Sequence, residues 1–325
     1  MKNIGLIELK NKDAGHFTTD TGIKLRRLFN PLLRSILKLA AKHKIIVENY
    51  PKLTKGKPYI FTSTHSFAED AIANLASIDR NAYILFGSTD QLEHNPQVYA
   101  AWLNGLIYVN RREEISRKDS VKKMERILNS GSSVFLFPKG GWNNTENLLV
   151  LPLFSGPWLL SQRTKTPVVP VSAFCEQESD TVFLNYGNPL DLFCYSKDEA
   201  ISLLWDALAT MTYEAILKHG TKLIRSECSG DLHMAFCESR KQEYQNVSWT
   251  KDNWDEELTT YCKKGQELPK DVVRFVENVS VTPSNAAILA PFLMEYERYQ
   301  KYDLKQYLRQ TWNLRKEAEI MEEQE

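Results

Sequence analysis

The 325-residue sequence has no stretch that approaches the roughly 18 uncharged apolar residues needed for a membrane-spanning helix. Its first residues, MKNIG, lack a signal-peptide pattern. The five cysteines are widely spaced and include no C-x-x-C pair, so reduced thiols are expected rather than disulfides or zinc ligands. Lysine plus arginine equals aspartate plus glutamate at 41 each, which leaves no net charge to attract polyanions. These absences favour a cytoplasmic protein without a nucleic-acid partner.

A basic amphipathic segment covers residues 23–44, where apolar residues recur at helical spacing. No acidic residue occurs between Asp20 and Glu48. The pair Asn30-Pro31 has the form of an N-cap followed by a first-turn proline, and it predicts two short helices rather than one long one. The segment could either lie on an anionic membrane surface or pack on the domain with a solvated basic face. Its basic residues are Lys24, Arg26, Arg27, Arg34, Lys38, Lys42 and Lys44.

Beyond this segment, β-rich runs alternate with helical patterns. The strands are predicted over residues 59–64, 82–86, 106–109, 133–137, 168–173 and 181–186. The helices are predicted over residues 68–78, 96–104, 116–129, 156–163 and 196–219. This order predicts an α/β fold with an open, largely parallel sheet flanked by helices. Ligands of such sheets lie beyond the carboxyl ends of the strands.

Changes of composition along the chain predict three parts. Residues 1–50 are assigned to an N-terminal basic amphipathic helical segment, and residues 51–223 to the α/β domain. Residues 224–325 are heavily charged and tyrosine-rich, and they are predicted to form a helical C-terminal appendage with no readable chemistry.

One histidine and one aspartate stand where the first predicted strand of the domain ends, in the sequence HSFAED. Ser66 and Glu69 match a capping box, which predicts that the next helix begins at Ser66 and leaves His65 in the preceding turn. From that turn His65 can fold back over the first helical turn, where Asp70 lies. The carboxylate can hold one imidazole nitrogen so that the other acts as a base. A surface histidine near a helix cap would give the same spacing, so the motif alone is weak.

Four blocks, in order over residues 55–190, resemble the glycerolipid acyltransferases, a family that includes bacterial 1-acyl-glycerol-3-phosphate acyltransferase. The blocks are the His65-x-x-x-x-Asp70 motif, residues 105–111 (GLIYVNR), residues 135–141 (FLFPKGG) and residues 167–171 (PVVPV). The resemblance implies that His65 and Asp70 are catalytic. It also implies that Arg111 contacts a phosphate of the acyl acceptor.

The third block departs from the family's usual Phe-Pro-Glu-Gly-Thr-Arg. Lys139 stands in place of the glutamate, Gly141 of the threonine and Trp142 of the arginine. Lysine can only donate hydrogen bonds, so either Lys139 and Arg111 form a cationic pocket for an anionic head group, or the site is impaired. Gly140 and Gly141 would let the backbone approach a ligand closely, and the amides of this turn are candidates for stabilising an oxyanion.

The resemblance implies an enzyme of phospholipid biosynthesis that moves a fatty acyl group from acyl-CoA or acyl carrier protein to a hydroxyl of a lyso-lipid. His65 would be the general base, and no metal or cofactor beyond the acyl thioester is expected. A lipid substrate favours the membrane reading of the basic segment, with a peripheral location on the inner face of the membrane. Two alternatives stay open, a non-catalytic relative that binds lipids or acyl thioesters, and a thioesterase.

Overall fold

A seven-stranded sheet organises the computed structural model, which describes residues 18–67, 69–87, 105–110, 114–140, 143, 149–176 and 179–220. The strands are β1 (Lys44–Asn49), β2 (Ile60–Ser63), β3 (Ala82–Phe86), β4 (Leu106–Tyr108), β5 (Ser133–Leu136), β6 (Val168–Glu176) and β7 (Thr181–Tyr186), in the spatial order β1-β7-β6-β2-β5-β3-β4. The five strands from β6 to β4 are parallel, whereas β7 is antiparallel to β6 and parallel to β1. The predicted open, largely parallel sheet is confirmed.

Helices cover both faces of this sheet. Neighbouring residues of a strand point to opposite faces, so each buried strand contributes side chains to both layers of packing. The described helices are α1 (Asp20–Ala40), α2 (Asp70–Ser77), α3 (Glu114–Asn129), α4 (Gly156–Thr164) and α5 (Lys197–His219), with a 3-10 turn at Leu192–Cys194. Phe61 and Phe135 join the buried cluster that contains α2. Ile60 and Val134 join the cluster formed with α3, α4 and α5. The sequence-predicted strands and helices that fall on described residues agree with these elements to within a few residues.

The strand β1 is absent from the prediction, which assigns residues 1–50 to a helical segment. Its run KIIVEN follows directly on the basic helix, and its partly exposed residues lie at the sheet edge, paired with β7. The predicted helix at 96–104 and the appendage at 224–325 lie outside the described residues, and the domain boundaries stay a prediction. Apart from Asn143, the described residues belong to one compact unit.

The N-terminal basic segment forms one helix, so the prediction of two short helices is wrong. The side chain of Thr19 accepts a hydrogen bond from the Gly22 amide at 3.1 Å and caps α1, and the helix then continues through Pro31 to Ala40. A proline lacks the N–H for one helical bond, but the helix is held on both sides of it by packing. Ile23 lies in the cluster with α3, α4 and α5, and Leu37 lies in the cluster with α2.

Basic residues of α1 face the protein, not only the solvent. Arg26 is 3% exposed and donates hydrogen bonds to the Asn81 Oδ1 at 2.6 Å and the Ala82 carbonyl at 2.9 Å. Its guanidinium lies 4.0 Å from the ring centroid of Tyr83. A Cβ atom at Gly105 would meet Tyr83 at 2.5 Å and Arg26 at 2.6 Å, so the glycine that opens the second block is required by this packing.

The opposite face of α1 is apolar and exposed. Its exposed large side chains are Leu25, Leu28, Phe29, Leu32 and Leu39. Helical spacing places these residues on one stripe. The helix packs on the domain through Ile23, Arg26 and Leu37. Lys24 and Lys38 are exposed, so part of the basic face is solvated, as the packed-helix alternative expects. The exposed apolar stripe is the feature that this alternative does not explain.

Among the described helices, α5 is long and apolar enough to cross a membrane by length and composition alone. The helix also carries Asp206 and Glu214, so it is not an uncharged apolar run. Leu204 and Leu208 of this helix are buried in the core cluster, and the capping box of Ser196 and Glu199 fixes its start. We therefore interpret α5 as a core helix of the domain.

Candidate active site

His65 and Asp70 lie together at the carboxyl end of β2. The chain leaves the strand at Ser63, and Asp70 is the first residue of α2. The His65 Nδ1 is 2.9 Å from the Asp70 Oδ2 and 2.8 Å from its Oδ1. The Asp70 side chain is fully buried, whereas that of His65 remains 20% exposed. This arrangement leaves the imidazole open to a substrate and its carboxylate partner enclosed.

The turn between the two residues is held by Asp70 itself. Its Oδ2 accepts hydrogen bonds from the Ser66 amide at 2.8 Å and from the Phe67 amide at 3.4 Å. The helix starts at Asp70 with Glu69 as an N-cap that makes no side-chain capping bond, so the predicted capping box and the helix start at Ser66 are wrong. The Asp70 carboxylate accepts the Ser66 amide, which the Glu69 side chain would have bound in a capping box.

Glu69 connects the turn to the end of α1. Its Oε2 accepts a hydrogen bond from the Lys42 amide at 3.2 Å and lies 3.6 Å from the His43 Nε2. The Lys42 Nζ lies 3.5 Å from Oε1 of the same carboxylate. The turn that carries His65 is thus joined to the segment that links α1 to β1, a connection that the sequence did not indicate.

Buried hydrogen bonds support α2 under Asp70. The side-chain Nδ2 of Asn74 donates to the backbone carbonyl of Asp70 at 2.7 Å. The Tyr186 hydroxyl donates to the backbone carbonyl of Asn74 at 3.4 Å. Burial raises the pKa of Tyr186 well above its usual range, so its hydroxyl stays a neutral donor. These bonds fix the first turn of α2 against β7.

The hydrogen bond at Nδ1 determines which imidazole nitrogen can act as a base. An ionised carboxylate accepts hydrogen bonds and donates none, so the proton between His65 and Asp70 belongs to Nδ1. In this tautomer the lone pair lies on Nε2, the nitrogen that would remove a proton from a hydroxyl, and the carboxylate would stabilise the imidazolium that results. The pair can therefore perform general base catalysis.

The third block meets the first through an aromatic contact. The Phe137 ring stacks on the His65 imidazole with centroids 4.0 Å apart and an interplanar angle of 10°. Because β2 and β5 are parallel, with Thr62 paired to Leu136, the residues that follow the two strands emerge side by side. The sequence did not predict this contact between the first and third blocks, since 72 positions separate the two rings and no spacing rule relates them.

Lys139 and Gly140 occupy the turn that follows Phe137. Gly140 has φ +78°, a region that favours glycine, and its N–H donates to the Phe137 carbonyl at 3.0 Å. This amide is therefore engaged within the turn, which removes it from the candidates for an oxyanion donor. Lys139 is 3% exposed. The predicted site residues Arg111 and Gly141 lie outside the described residues.

The fourth block is structural. Val168 and Val169 are fully buried in β6, and the Pro167 carbonyl accepts a hydrogen bond from the Ile60 amide at 3.0 Å. The block therefore aligns β6 beside β2, the strand that carries His65 at its end. Within the described part of the chain, no group of three or more His, Cys, Asp or Glu side chains is placed to hold a metal ion.

Comparison with known proteins points to one family. Residues 44–173 match the sequence profile of a family described as Acyltransferase, and this span contains all four blocks. The match confirms the family that those blocks predict. The chain is also similar in structure to the 1-acyl-sn-glycerophosphate (LPA) acyltransferase PlsC from Thermotoga maritima, with 17% identity, a TM-score of 0.48 and coverage of 62% of this chain and 84% of that chain. No curated protein matches the sequence.

Proposed function

Residues 44–173 of this chain belong to the acyltransferase family, and we propose that the protein transfers a fatty acyl group from an acyl thioester to a hydroxyl of a lyso-lipid. The observation that carries the proposal is the contact of the His65 Nδ1 with the buried Asp70 carboxylate at 2.8–2.9 Å. The pair lies at the carboxyl end of a parallel strand, where sheets of this kind bind their ligands.

In the proposed reaction His65 acts as the general base. Nε2 removes the proton of the acceptor hydroxyl as its oxygen attacks the thioester carbonyl carbon. The tetrahedral intermediate then collapses, the carbon–sulfur bond breaks, and the leaving thiolate takes the proton from the imidazolium. No acyl-enzyme is required. A positioned base of this kind contributes about 10²–10⁴-fold to the rate. The donor is acyl-CoA or acyl carrier protein.

The acceptor is proposed to carry an anionic head group, as in a lyso-phosphatidate. Lys139 lies two residues after Phe137, whose ring touches His65, and it brings a positive charge to this end of the sheet. Arg111 follows β4, which ends at the same edge because β3, β4 and β5 are parallel. Lys139, together with Arg111 as the resemblance implies, would bind a phosphate and give the protein a role in phospholipid biosynthesis.

A peripheral location on the inner face of the membrane is proposed from the exposed face of α1. Leu28 is 71% exposed and Leu39 is 87% exposed, on the same stripe as Leu25, Phe29 and Leu32. Exposed apolar stripes of this kind mark interaction surfaces, and on a lipid enzyme a bilayer interface is the expected partner. The exposed Lys24 and Lys38 flank the stripe and would meet anionic head groups.

The test is incubation of the purified chain with labelled acyl-CoA or acyl carrier protein and a panel of anionic and neutral lyso-lipids. Acyl-lipid product supports the proposal. Free fatty acid without acyl-lipid would indicate a thioesterase, and binding without turnover would indicate a non-catalytic lipid-binding protein. The matched control is the His65→Ala variant. Any product that this variant still forms does not depend on the His65 base.

A further inference from the structure

We propose that Phe137 is a positioning residue of this site, which fixes the plane of the His65 imidazole by stacking on its face. The two rings lie 4.0 Å apart at their centroids and are within 10° of parallel. This inference rests on the proposed function, because it assigns to Phe137 the orientation of the base used in acyl transfer.

Asp70 alone does not fix the ring. Its contact with Nδ1 restrains the position of one atom, but the torsion between Cβ and the ring of histidine is broad, so the ring can tilt about that contact. A face-to-face neighbour limits the tilt because rotation of the imidazole would drive its edge into the Phe137 ring. The hydrogen bond and the stack therefore restrain different motions.

Phe137 is itself held from two sides. Its ring packs edge-on against Phe135, with centroids 4.9 Å apart and an interplanar angle of 81°. Its carbonyl accepts the Gly140 amide at 3.0 Å and closes the turn after β5. Phe135 is fully buried in the sheet core. The stacked ring is thus anchored to a rigid strand, which is the requirement for a group that positions another.

The stack also bears on the protonated state of the base. When His65 takes the acceptor's proton its ring becomes a cation, and the face of an aromatic ring attracts a cation. Phe137 covers one face of that cation and Asp70 holds its edge. We therefore expect removal of the ring to lower kcat, while the Michaelis constants for donor and acceptor change little.

The variants that isolate this role are Phe137→Leu, which removes the ring, and Phe137→Tyr, which retains it. We expect Phe137→Leu to lower kcat about tenfold with Michaelis constants within about twofold of the parent's, and Phe137→Tyr to restore kcat to within about threefold. If the leucine variant does not fold, Phe137→Met supplies a second side chain without a ring.

The chain offers a matched control in a second stacked pair. The Phe183 ring lies on the His219 imidazole with centroids 3.6 Å apart and an interplanar angle of 9°. Phe183→Leu removes an equivalent stack on β7 and should leave kcat at the parent's value. A loss of activity in both leucine variants would assign the effect to general packing and overturn the positioning role.

Nuclear magnetic resonance supplies a readout independent of turnover. The Cε1–H resonance of His65, identified by its loss in His65→Ala, should move downfield in Phe137→Leu as the ring-current shielding disappears, and it should stay in place in Phe183→Leu. If the parent protein has no transferase activity but the His65 resonance moves in Phe137→Leu, the proposed function is overturned and the stacking contact is not. A His65 resonance that does not move, or equal kcat in the leucine and tyrosine variants, would overturn the positioning role.

Discussion

The guanidinium of Arg26 lies over the ring of Tyr83, 4.0 Å from its centroid, in the interior of the domain. Burial lowers the pKa of Arg26 to about 10, so the group stays protonated at neutral pH. A residue that sequence patterning assigns to a membrane-facing basic surface is instead a buried link between α1 and β3. Two groups of α1 residues therefore have separate roles, since one attaches the helix and the other faces outward.

Arg26→Gln should destabilise the protein rather than weaken its membrane binding. The change removes hydrogen bonds from a cationic donor to Asn81 and Ala82, together with the contact on Tyr83. We expect a loss of about 2–4 kcal/mol in the free energy of unfolding. Urea titration followed by circular dichroism measures it. Lys24→Gln, on the exposed side of the same helix, is the control and should change stability by less than about 0.5 kcal/mol.

The double change Leu28→Gln and Leu32→Gln should reduce binding to anionic vesicles by tenfold or more, because burial of each leucine is worth about 1.5–3 kcal/mol. Turnover of soluble short-chain substrates should be spared. Vesicle flotation is the measurement, and Lys24→Gln with Lys38→Gln should give a smaller loss that is most visible at low salt. Flotation of the leucine variant equal to that of the parent would show that the stripe does not contact lipid.

Lys139→Glu should raise the Michaelis constant for an anionic acceptor by about tenfold, because it places a negative charge beside the acceptor's head group. The constant for a neutral acceptor should change little. Lys139→Met removes the charge without reversing it. Its Michaelis constant for the anionic acceptor should lie between those of the parent and Lys139→Glu. Steady-state kinetics on a lyso-phosphatidate and a neutral lyso-lipid measure the effect. A gain of activity on the anionic acceptor would mean that lysine marks an impaired site, and the cationic pocket would be rejected.

Asp70→Asn should impair transfer less completely than loss of His65. An amide oxygen can still accept the Nδ1 proton, but it cannot stabilise the imidazolium as a carboxylate does. Ser66 and Phe67 also lose part of the acceptor that holds their turn. The measurement is kcat on the preferred acceptor. Turnover equal to the parent's would show that the carboxylate charge has no role.

Much of the sheet is predictable from the sequence, because buried strands such as β2 and β5 are short runs of apolar and β-branched residues. The edge strand β1 is not predicted, although Ile45, Ile46 and Val47 are β-branched, because this run overlaps the end of a segment with helical spacing. Its pairing with β7 joins positions 137 residues apart. The order of strands is likewise a property of long-range contacts.

The proximity of His65 and Asp70 follows from their spacing and from the strand that precedes them, but the details of the turn do not. The capping-box pattern predicts a helix from Ser66, whereas the buried Asp70 carboxylate accepts the Ser66 amide that the Glu69 side chain would have bound, and the helix starts at Asp70. The ring of Phe137 reaches His65 only because two parallel strands end together. Contacts of this kind depend on tertiary structure and have no pattern in one sequence.

The central claim is that His65, oriented by Asp70, is the base that activates the acceptor hydroxyl. The most direct test is the rate of acyl transfer by purified His65→Ala protein, with circular dichroism and vesicle flotation recorded on the same preparation. We predict a loss of about 10²–10⁴-fold in kcat with fold and flotation unchanged. Turnover near the parent's rate by folded His65→Ala protein would contradict the mechanism.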